Sequence, residues 1–294
     1  VNFNHNSTKI YNDRQTPGGG RERLMKLKNA LTIASATDAG LVRNFNEDSV
    51  SANEELGLVV LADGMGGYKA GDVASGMATM IIGNELKEHL GKGLAKSNGV
   101  DLETELLRTA ITRANQAIYH AAHNKTQFQG MGTTVVATLF RDNVVTIAHA
   151  GDSRLYRLRG EKFDQLTVDH SLLQEQVQLG LISAEDARVS HNRNLVTRAL
   201  GVTQTIAVDV RQERAQVGDI YLLCSDGLND MVDDADIELA MRSIKENIPL
   251  LVRQLVMMAN DNGGHDNISV AAIKVEKPFT LRTGFFARWF GEHV

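Results

Sequence analysis

Cysteine, proline and tryptophan are scarce in this sequence of 294 residues, which contains one, three and one of them. The single cysteine excludes an intramolecular disulfide framework and indicates a reducing compartment. Cys224 ends the apolar run Ile220–Cys224, and a thiol in such a run is more often a small core residue than a reactive group. We therefore expect Cys224 to belong to the core.

Long apolar runs and a strong excess of one charge are also absent. No stretch reaches the roughly 18 consecutive apolar residues of a membrane span, and the polar N-terminal region lacks a signal-peptide pattern. The 31 basic and 36 acidic residues give a net charge of -5, which is no basic footprint for nucleic acid or an anionic membrane. These absences predict a cytoplasmic protein with no nucleic-acid partner and no transmembrane segment.

Apolar residues make up 43% of the chain, which is enough for the core of one large domain. Residues 1–28 are polar, and we expect a flexible leader there. Strand and helix patterns come in blocks, which favours an α+β fold with an antiparallel sheet. The periodicity predicts helices over 70–90, 102–123, 235–244 and 248–260, short helices over 171–179 and 183–189, and strands over 31–37, 58–62, 132–140, 144–150, 154–158, 205–211, 219–224 and 268–275.

An apolar run, Leu58–Ala62, stops abruptly at the cluster Asp63-Gly64-Met65-Gly66-Gly67. One interpretation is a buried strand that carries Asp63 to a sheet edge, where the glycines allow a ligand to approach closely. The other is a purely structural turn between a strand and a helix. Taken alone, the stretch favours neither.

Three more aspartates, Asp152, Asp226 and Asp266, also sit beside glycine or asparagine at predicted strand ends. Carboxylates held at strand edges suit hard cations such as Mg²⁺ and Mn²⁺. A zinc site is disfavoured, because the close pair His120 and His123 has no cysteine or acidic partner in helical register. If these aspartates meet in space, their repulsion nearly requires a metal cluster.

Arg43, Glu47 and Asp48 lie close together in the sequence beside a predicted strand. They form either a solvated loop with compensating charges or a phosphate-binding guanidinium next to carboxylates that handle metal or water. Local sequence leaves both interpretations open.

Eight motifs follow one another along the chain, and their order makes them far more specific together than any one alone. They resemble the metal-dependent Ser/Thr protein phosphatases of the PPM (type 2C) family in its bacterial form, over roughly Asn29 to Val275. The motifs are Gly40-Leu41-Val42-Arg43 through Asn46-Glu47-Asp48, Ala62-Asp63-Gly64-Met65-Gly66-Gly67, Gly132-Thr133-Thr134, Ala150-Gly151-Asp152-Ser153-Arg154, Asp169-His170-Ser171, Leu200-Gly201, Ser225-Asp226-Gly227-Leu228 and Asp266-Asn267-Ile268-Ser269.

The resemblance implies a four-layer α-β-β-α sandwich of two mainly antiparallel sheets, with a centre of two Mn²⁺ or Mg²⁺ ions at one end. It implies a domain over 29–277, a flap at about 171–200 and a C-terminal extension over 278–294. The metal ligands would be Asp63 as the bridge, the Gly64 carbonyl, Asp226 and Asp266, with Glu47 and Asp48 acting through waters. Asp152 and Asp226 would hold a third, weaker metal.

The implied activity is hydrolysis of phosphoserine and phosphothreonine in proteins, by in-line attack of a metal-bridging hydroxide. Arg43 would clamp the phosphate, and the enzyme would reverse the action of a bacterial Ser/Thr kinase. Met65 and Tyr68 depart from the family, whose members can carry a His at these positions. We hypothesise that a metal-bound water or Tyr68 protonates the leaving group. His149 and His265 also occupy variable positions, and neither is assigned to the site.

Two other functions compete with this one. A non-catalytic phosphoprotein-binding scaffold of the same fold would usually lose metal carboxylates, and a two-metal nuclease would need a basic groove. The aromatic and basic segment Phe279–Val294 either packs on the domain or docks a partner or membrane surface.

Overall fold

Two antiparallel sheets form the centre of the computed structural model, which describes residue 27, residues 29–66, 70–91, 102–183, residue 186 and residues 195–280. The first sheet has the strand order β1-β11-β10-β7-β8. Its strands are β1 (Leu31–Asp38), β7 (Arg154–Arg159), β8 (Lys162–Gln165), β10 (Ile220–Cys224) and β11 (Ile268–Val275).

The second sheet has the order β2-β3-β5-β6-β9, and the short strand β4 pairs with β3. Its strands are β2 (Asp48–Asn53), β3 (Leu58–Met65), β4 (Gly132–Thr133), β5 (Val135–Arg141), β6 (Val144–Ala150) and β9 (Asp209–Arg214).

Helices cover the outer face of each sheet. The long pair α1 (Ala70–Gly91) and α2 (Leu102–Asn124) packs on the second sheet, and the pair α5 (Asp234–Ser243) and α6 (Ile248–Asp261) packs on the first. Two short helices, α3 (Leu172–Gln178) and α4 (Asp226–Asn229), lie near one end of the sheets. The predicted α+β sandwich with four layers is confirmed. Within the part of the chain that the structure describes, no helix is long and apolar enough to cross a membrane.

The continuous apolar run in β3 is explained by this layering. Val59 and Leu61 point into the core between the sheets, while Leu58, Val60 and Ala62 pack under α1 and α2. Because both faces of the strand are covered, it has no polar alternation. Cys224 is buried in the core under α5 and α6, as expected.

Some elements differ from the sequence pattern. Strand β2 was not predicted, because its sequence DSVSAN is largely polar and half-buried. Strand β9 begins at Asp209 rather than at 205, since β6 ends at Ala150 and its ladder with β9 begins at the pair His149–Asp209. The predicted helix over 183–189 falls almost entirely outside the described residues. Leu27 and Phe279, just outside the predicted domain boundaries, both have buried side chains in the core between the sheets.

The register of the ladders brings several chain segments to one end of the sandwich. Asp48, the first residue of β2, pairs with Asp63 near the end of β3. In the other sheet, the end of β10 pairs with the start of β11, through Cys224 and Val270. The loops that follow β3, β6 and β10, and the loop that precedes β11, therefore share this end.

Candidate metal centre

Asp63 is held at this end by the backbone and side chains of the Thr133-Thr134 pair. The Asp63 N–H donates to Thr134 Oγ1 (3.1 Å), and the Thr134 N–H donates to the Asp63 carbonyl (2.9 Å). Thr133 Oγ1 also donates to that carbonyl (2.8 Å). These bonds occupy the main chain of Asp63 and leave its carboxylate for the centre.

Gly64 lies where three segments meet. A Cβ atom at this position would lie 2.2 Å from the Gly71 carbonyl oxygen and 2.4 Å from that of Glu47. The Gly64 N–H donates to the Glu47 carbonyl (3.1 Å), so β3, the start of α1 and the loop before β2 are in direct contact. Only glycine permits this approach, which explains why residue 64 is a glycine.

Asp226 begins α4 immediately after Ser225, which is fully buried. The Ser225 hydroxyl donates to Asp48 Oδ2 (2.8 Å) and accepts from the Ser269 N–H (2.9 Å). It therefore joins the ends of β10, β11 and β2. The other Asp48 oxygen, Oδ1, is buried with no hydrogen-bond partner in the described part of the chain.

The four aspartates Asp48, Asp63, Asp152 and Asp226 repel one another in a poorly hydrated site. Burial, reinforced by the neighbouring carboxylates, raises the pKa of Asp63 and of Asp226 well above the ordinary value. Burial raises the pKa of Asp48 to about 7 and that of Asp152 to about 6. Such a cluster must either take up protons or hold cations.

The donor set fits hard divalent cations. All the converging side chains offer oxygen, and the buried Asp48 Oδ1 has an unused lone pair. Oxygen ligands of this kind are those that Mg²⁺ and Mn²⁺ prefer.

Arg43 lies at the edge of the cluster. Its guanidinium donates to Asp266 Oδ2 (2.6 Å), and 53% of its side chain is exposed. Burial lowers the pKa of Arg43, but the hydrogen bond to Asp266 and the charges of Asp266, Asp226 and Glu47 outweigh it, so that the pKa is raised above its ordinary value. The Glu47 carboxyl group lies against Gly71. The eight predicted site residues are thus at one end of the fold: Arg43, Glu47, Asp48, Asp63, Gly64, Asp152, Asp226 and Asp266. Tyr68, the predicted alternative proton donor, lies outside the described residues.

Asp152 and Asp226 line a cleft of about 930 Å³. Gly151 adopts a φ of +116°, and a Cβ there would lie 2.5 Å from the Thr134 side chain, so the loop packs tightly against β4 and β5. Leu173 and Val177 of the predicted flap line the other side of the cleft.

A cluster of histidines behind Asp152 was not predicted as a unit. The rings of His149 and His170 stack with their centroids 4.7 Å apart, and ligand atoms of both and of Asp209 lie within 4.8 Å of one another. A metal there is disfavoured, because His170 Nδ1 accepts from the Gly151 N–H (3.1 Å) and the Arg198 guanidinium already lies 2.9 Å from both His170 Nε2 and Asp209 Oδ1. Burial lowers the pKa of both histidines. We interpret the cluster as a neutral structural link between the flap and the Asp152 loop.

Sequence reasoning assigned no role to the residues that hold the site in place. Ser225, Thr133, Thr134 and Asn267 all belong to recognised motifs, but their sequence neighbours do not reveal which backbone groups they contact. Motif membership was the only available signal.

Comparison with known proteins gives concordant matches. The family model described as "Protein phosphatase 2C" matches residues 42–253. The Serine/threonine phosphatase stp of Listeria innocua is 39% identical over 241 residues, which are 81% of this chain and 93% of that protein. Protein phosphatase PhpP of Streptococcus pneumoniae is 33% identical over 252 residues, covering 84% and 98% of the two chains.

Solved structures match equally well. The Mycobacterium tuberculosis serine/threonine phosphatase PstP/Ppp superimposes with a TM-score of 0.76 at 36% identity, covering 84% of this chain and 100% of that one. A structure of the PstP catalytic domain in complex with two manganese ions gives a TM-score of 0.72 at 36% identity, with 84% and 99% covered.

Proposed function

This chain belongs to the protein phosphatase 2C (PPM) family, and from that premise we propose that it catalyses the metal-dependent hydrolysis of phosphoserine and phosphothreonine in proteins. The observation that carries the proposal is the meeting of Asp48, Asp63, Asp152 and Asp226 at one end of the sandwich, with the pKa of each raised. The carboxylates of such a site repel one another, and bound divalent cations neutralise their charge.

The cations are two Mn²⁺ or Mg²⁺ ions, as in the manganese-bound relative. We assign Asp63, the Gly64 carbonyl, Asp226 and Asp266 as the residues that would hold the two ions, with Asp63 shared between them. Glu47 and Asp48 would contribute through waters, and Asp152 and Asp226 would hold a third, weaker ion. When bound, the pair of ions supplies a water acidic enough to attack phosphorus near neutral pH.

Arg43 binds the phosphoryl group of the substrate. Its planar guanidinium now pairs with the carboxylate of Asp266, and it can exchange that partner for phosphoryl oxygens, which accept the same geometry. Because more than half of the side chain is exposed, this exchange needs little rearrangement. Arg43 thereby orients the phosphorus and offsets the charge that develops during the reaction.

A scaffold without catalysis fits the site less well. Such a protein would gain nothing from keeping Asp63, Asp226 and Asp266 together at the cost of their mutual repulsion. The substrates are phosphorylated Ser/Thr proteins of the cytoplasm, including those modified by a cognate Ser/Thr kinase.

The first experiment is phosphate release from a phosphothreonine peptide in Mn²⁺, with and without a chelator. We expect the activity to vanish on chelation and in the Asp63→Asn variant. Asp236→Asn, on the first turn of α5 and outside the cleft lining, is the matched control and should retain the wild-type rate. Activity that survives chelation would refute the proposal.

A further inference from the structure

The side chain of Asn267 joins the loop that carries Arg43 to the segment that carries Asp266. It is 5% exposed. Its Nδ2 donates to the carbonyls of Ala39 (3.0 Å) and Phe45 (2.9 Å), and its Oδ1 accepts from the Glu47 N–H (2.8 Å). One amide therefore holds both ends of the loop 39–47.

The same two segments touch at a second point. The Gly264 carbonyl accepts from the backbone N–H groups of Leu41 (2.7 Å) and Val42 (3.3 Å). Gly40 has a φ of +75°, and a Cβ there would lie 2.3 Å from the Asp266 carbonyl oxygen. The loop thus lies directly on the segment that precedes β11.

The loop backbone sets the position of Arg43 and the ion pair with Asp266 holds its guanidinium, while side-chain packing contributes little. Its neighbours Leu41, Val42 and Phe45 are all more than half exposed, as is the Arg43 side chain. We propose that Asn267 is a positioning residue, which fixes the loop backbone so that the Arg43 guanidinium reaches the substrate phosphoryl group. This inference rests on the proposed phosphatase function and on the proposed role of Arg43.

The Asn267→Ala substitution should weaken phosphate binding and leave Mn²⁺ binding nearly unchanged. Alanine removes the three side-chain bonds, and water can reach the exposed loop, so the loop loses its fixed position without collapsing. The backbone N–H of Asn267 still donates to Asp266 Oδ1 (2.8 Å). Asp63 depends on Thr133 and Thr134, which the substitution does not touch. Glu47 loses the bond to its N–H, but its carbonyl still accepts from the Gly64 N–H (3.1 Å) and the Ser75 hydroxyl (2.6 Å).

The test is a double-mutant cycle of Asn267→Ala and Arg43→Ala. The measurements are KM for a phosphothreonine peptide, the dissociation constant of inorganic phosphate by calorimetry on the Mn²⁺-loaded protein, and the half-saturating Mn²⁺ concentration. Asn262→Ala, which removes an amide bonded to the Met231 carbonyl, is the matched control. The thermal midpoint of every variant is recorded. If Asn267→Ala does not fold, Asn267→Ser is measured in its place.

We expect Arg43→Ala to raise KM and the phosphate constant about tenfold or more, as the loss of a charge-assisted bond to phosphate does. Asn267→Ala should raise both about fivefold and leave the Mn²⁺ requirement within about twofold of wild type. The double variant should be no worse than Arg43→Ala alone.

The inference would be overturned if the fold-changes in KM of the two single variants multiplied in the double variant. It would also be overturned if Asn267→Ala raised the half-saturating Mn²⁺ concentration as much as KM, because Asn267 would then support the metal site or the fold. An Arg43→Ala variant with unchanged phosphate affinity would overturn it too. A wild-type protein that releases no phosphate from any phosphopeptide would instead refute the proposed function, while the phosphate-binding arm still decides the role of Asn267.

Discussion

Asp48 and Asp63 face each other directly across the antiparallel ladder of β2 and β3. Like charges at paired positions destabilise a sheet, and here both carboxyl groups are also withdrawn from water, which raises the pKa of each. The sandwich therefore holds a repulsive pair inside a regular ladder, at the end of the sheet that carries the candidate metal centre.

The Asp63→Asn variant should be more stable than the wild type when metal is absent. Removing one charge relieves the repulsion with Asp48 and Asp226, and we expect a gain of about 1–2 kcal/mol, or a few degrees in the melting temperature. Calorimetry at pH 8 in chelator measures it. In Mn²⁺ the order should reverse, because the wild type alone gains the binding free energy. A variant less stable than the wild type in chelator would contradict the assignment.

The metal-free protein should lose stability as pH rises. The folded state raises the pKa of Asp48 to about 7 and of Asp152 to about 6, from ordinary values near 3.8. Between about pH 4 and pH 7 these carboxyl groups, together with Asp63 and Asp226, bind more protons in the folded protein than in the unfolded chain. The lowered pKa values of His149 and His170 act in the opposite direction, but the four carboxyl groups outnumber them, so the unfolding free energy falls across that range. Melting curves at pH 5 and pH 7.5 in chelator test the direction, and saturating Mn²⁺ should restore stability at pH 7.5. A flat profile would show that the carboxylates are solvated.

The Asp152→Asn variant should keep the two tight metal sites and lose the third. Its carboxyl group lines the cleft together with Asp226, and its charge helps burial to raise the pKa of Asp226. Metal titration by calorimetry should still give two tight Mn²⁺ ions per chain, while turnover at saturating Mn²⁺ falls about tenfold. Loss of a tight site would mean that Asp152 belongs to the binuclear centre.

The Tyr68→Phe variant distinguishes the two hypothetical sources of the leaving-group proton. If the phenol donates it, the variant should slow hydrolysis of a phosphoserine peptide about tenfold or more, because a serine alkoxide needs a proton. An aryl phosphate has a better leaving group and should be affected much less. Equal slowing of both substrates would exclude leaving-group protonation by Tyr68.

The candidate site residues could be proposed from the sequence, although local context alone left the roles of Asp63 and of Arg43, Glu47 and Asp48 open. Asp63, Asp226 and Asp266 stand where apolar patterns stop beside glycine or asparagine, and the order of the motifs added specificity. Two strands could not be placed correctly from the local sequence. Strand β2 is too polar to be read as a strand, and β9 starts four residues later than its β-prone residues indicate, because its partner strand ends there.

The sequence alone therefore determined most of the helices and strands and the α+β class, since these depend on periodicity, while its ordered motifs indicated the family and the candidate carboxylates. Only the tertiary structure decided that Asp48 pairs with Asp63, that Ser225 bonds to a carboxylate 177 positions away, and that Asn267 reaches across to Ala39, Phe45 and Glu47. Strand register and long-range hydrogen bonds set these contacts. They arise when distant segments are packed together, and no stretch of the chain encodes them by itself.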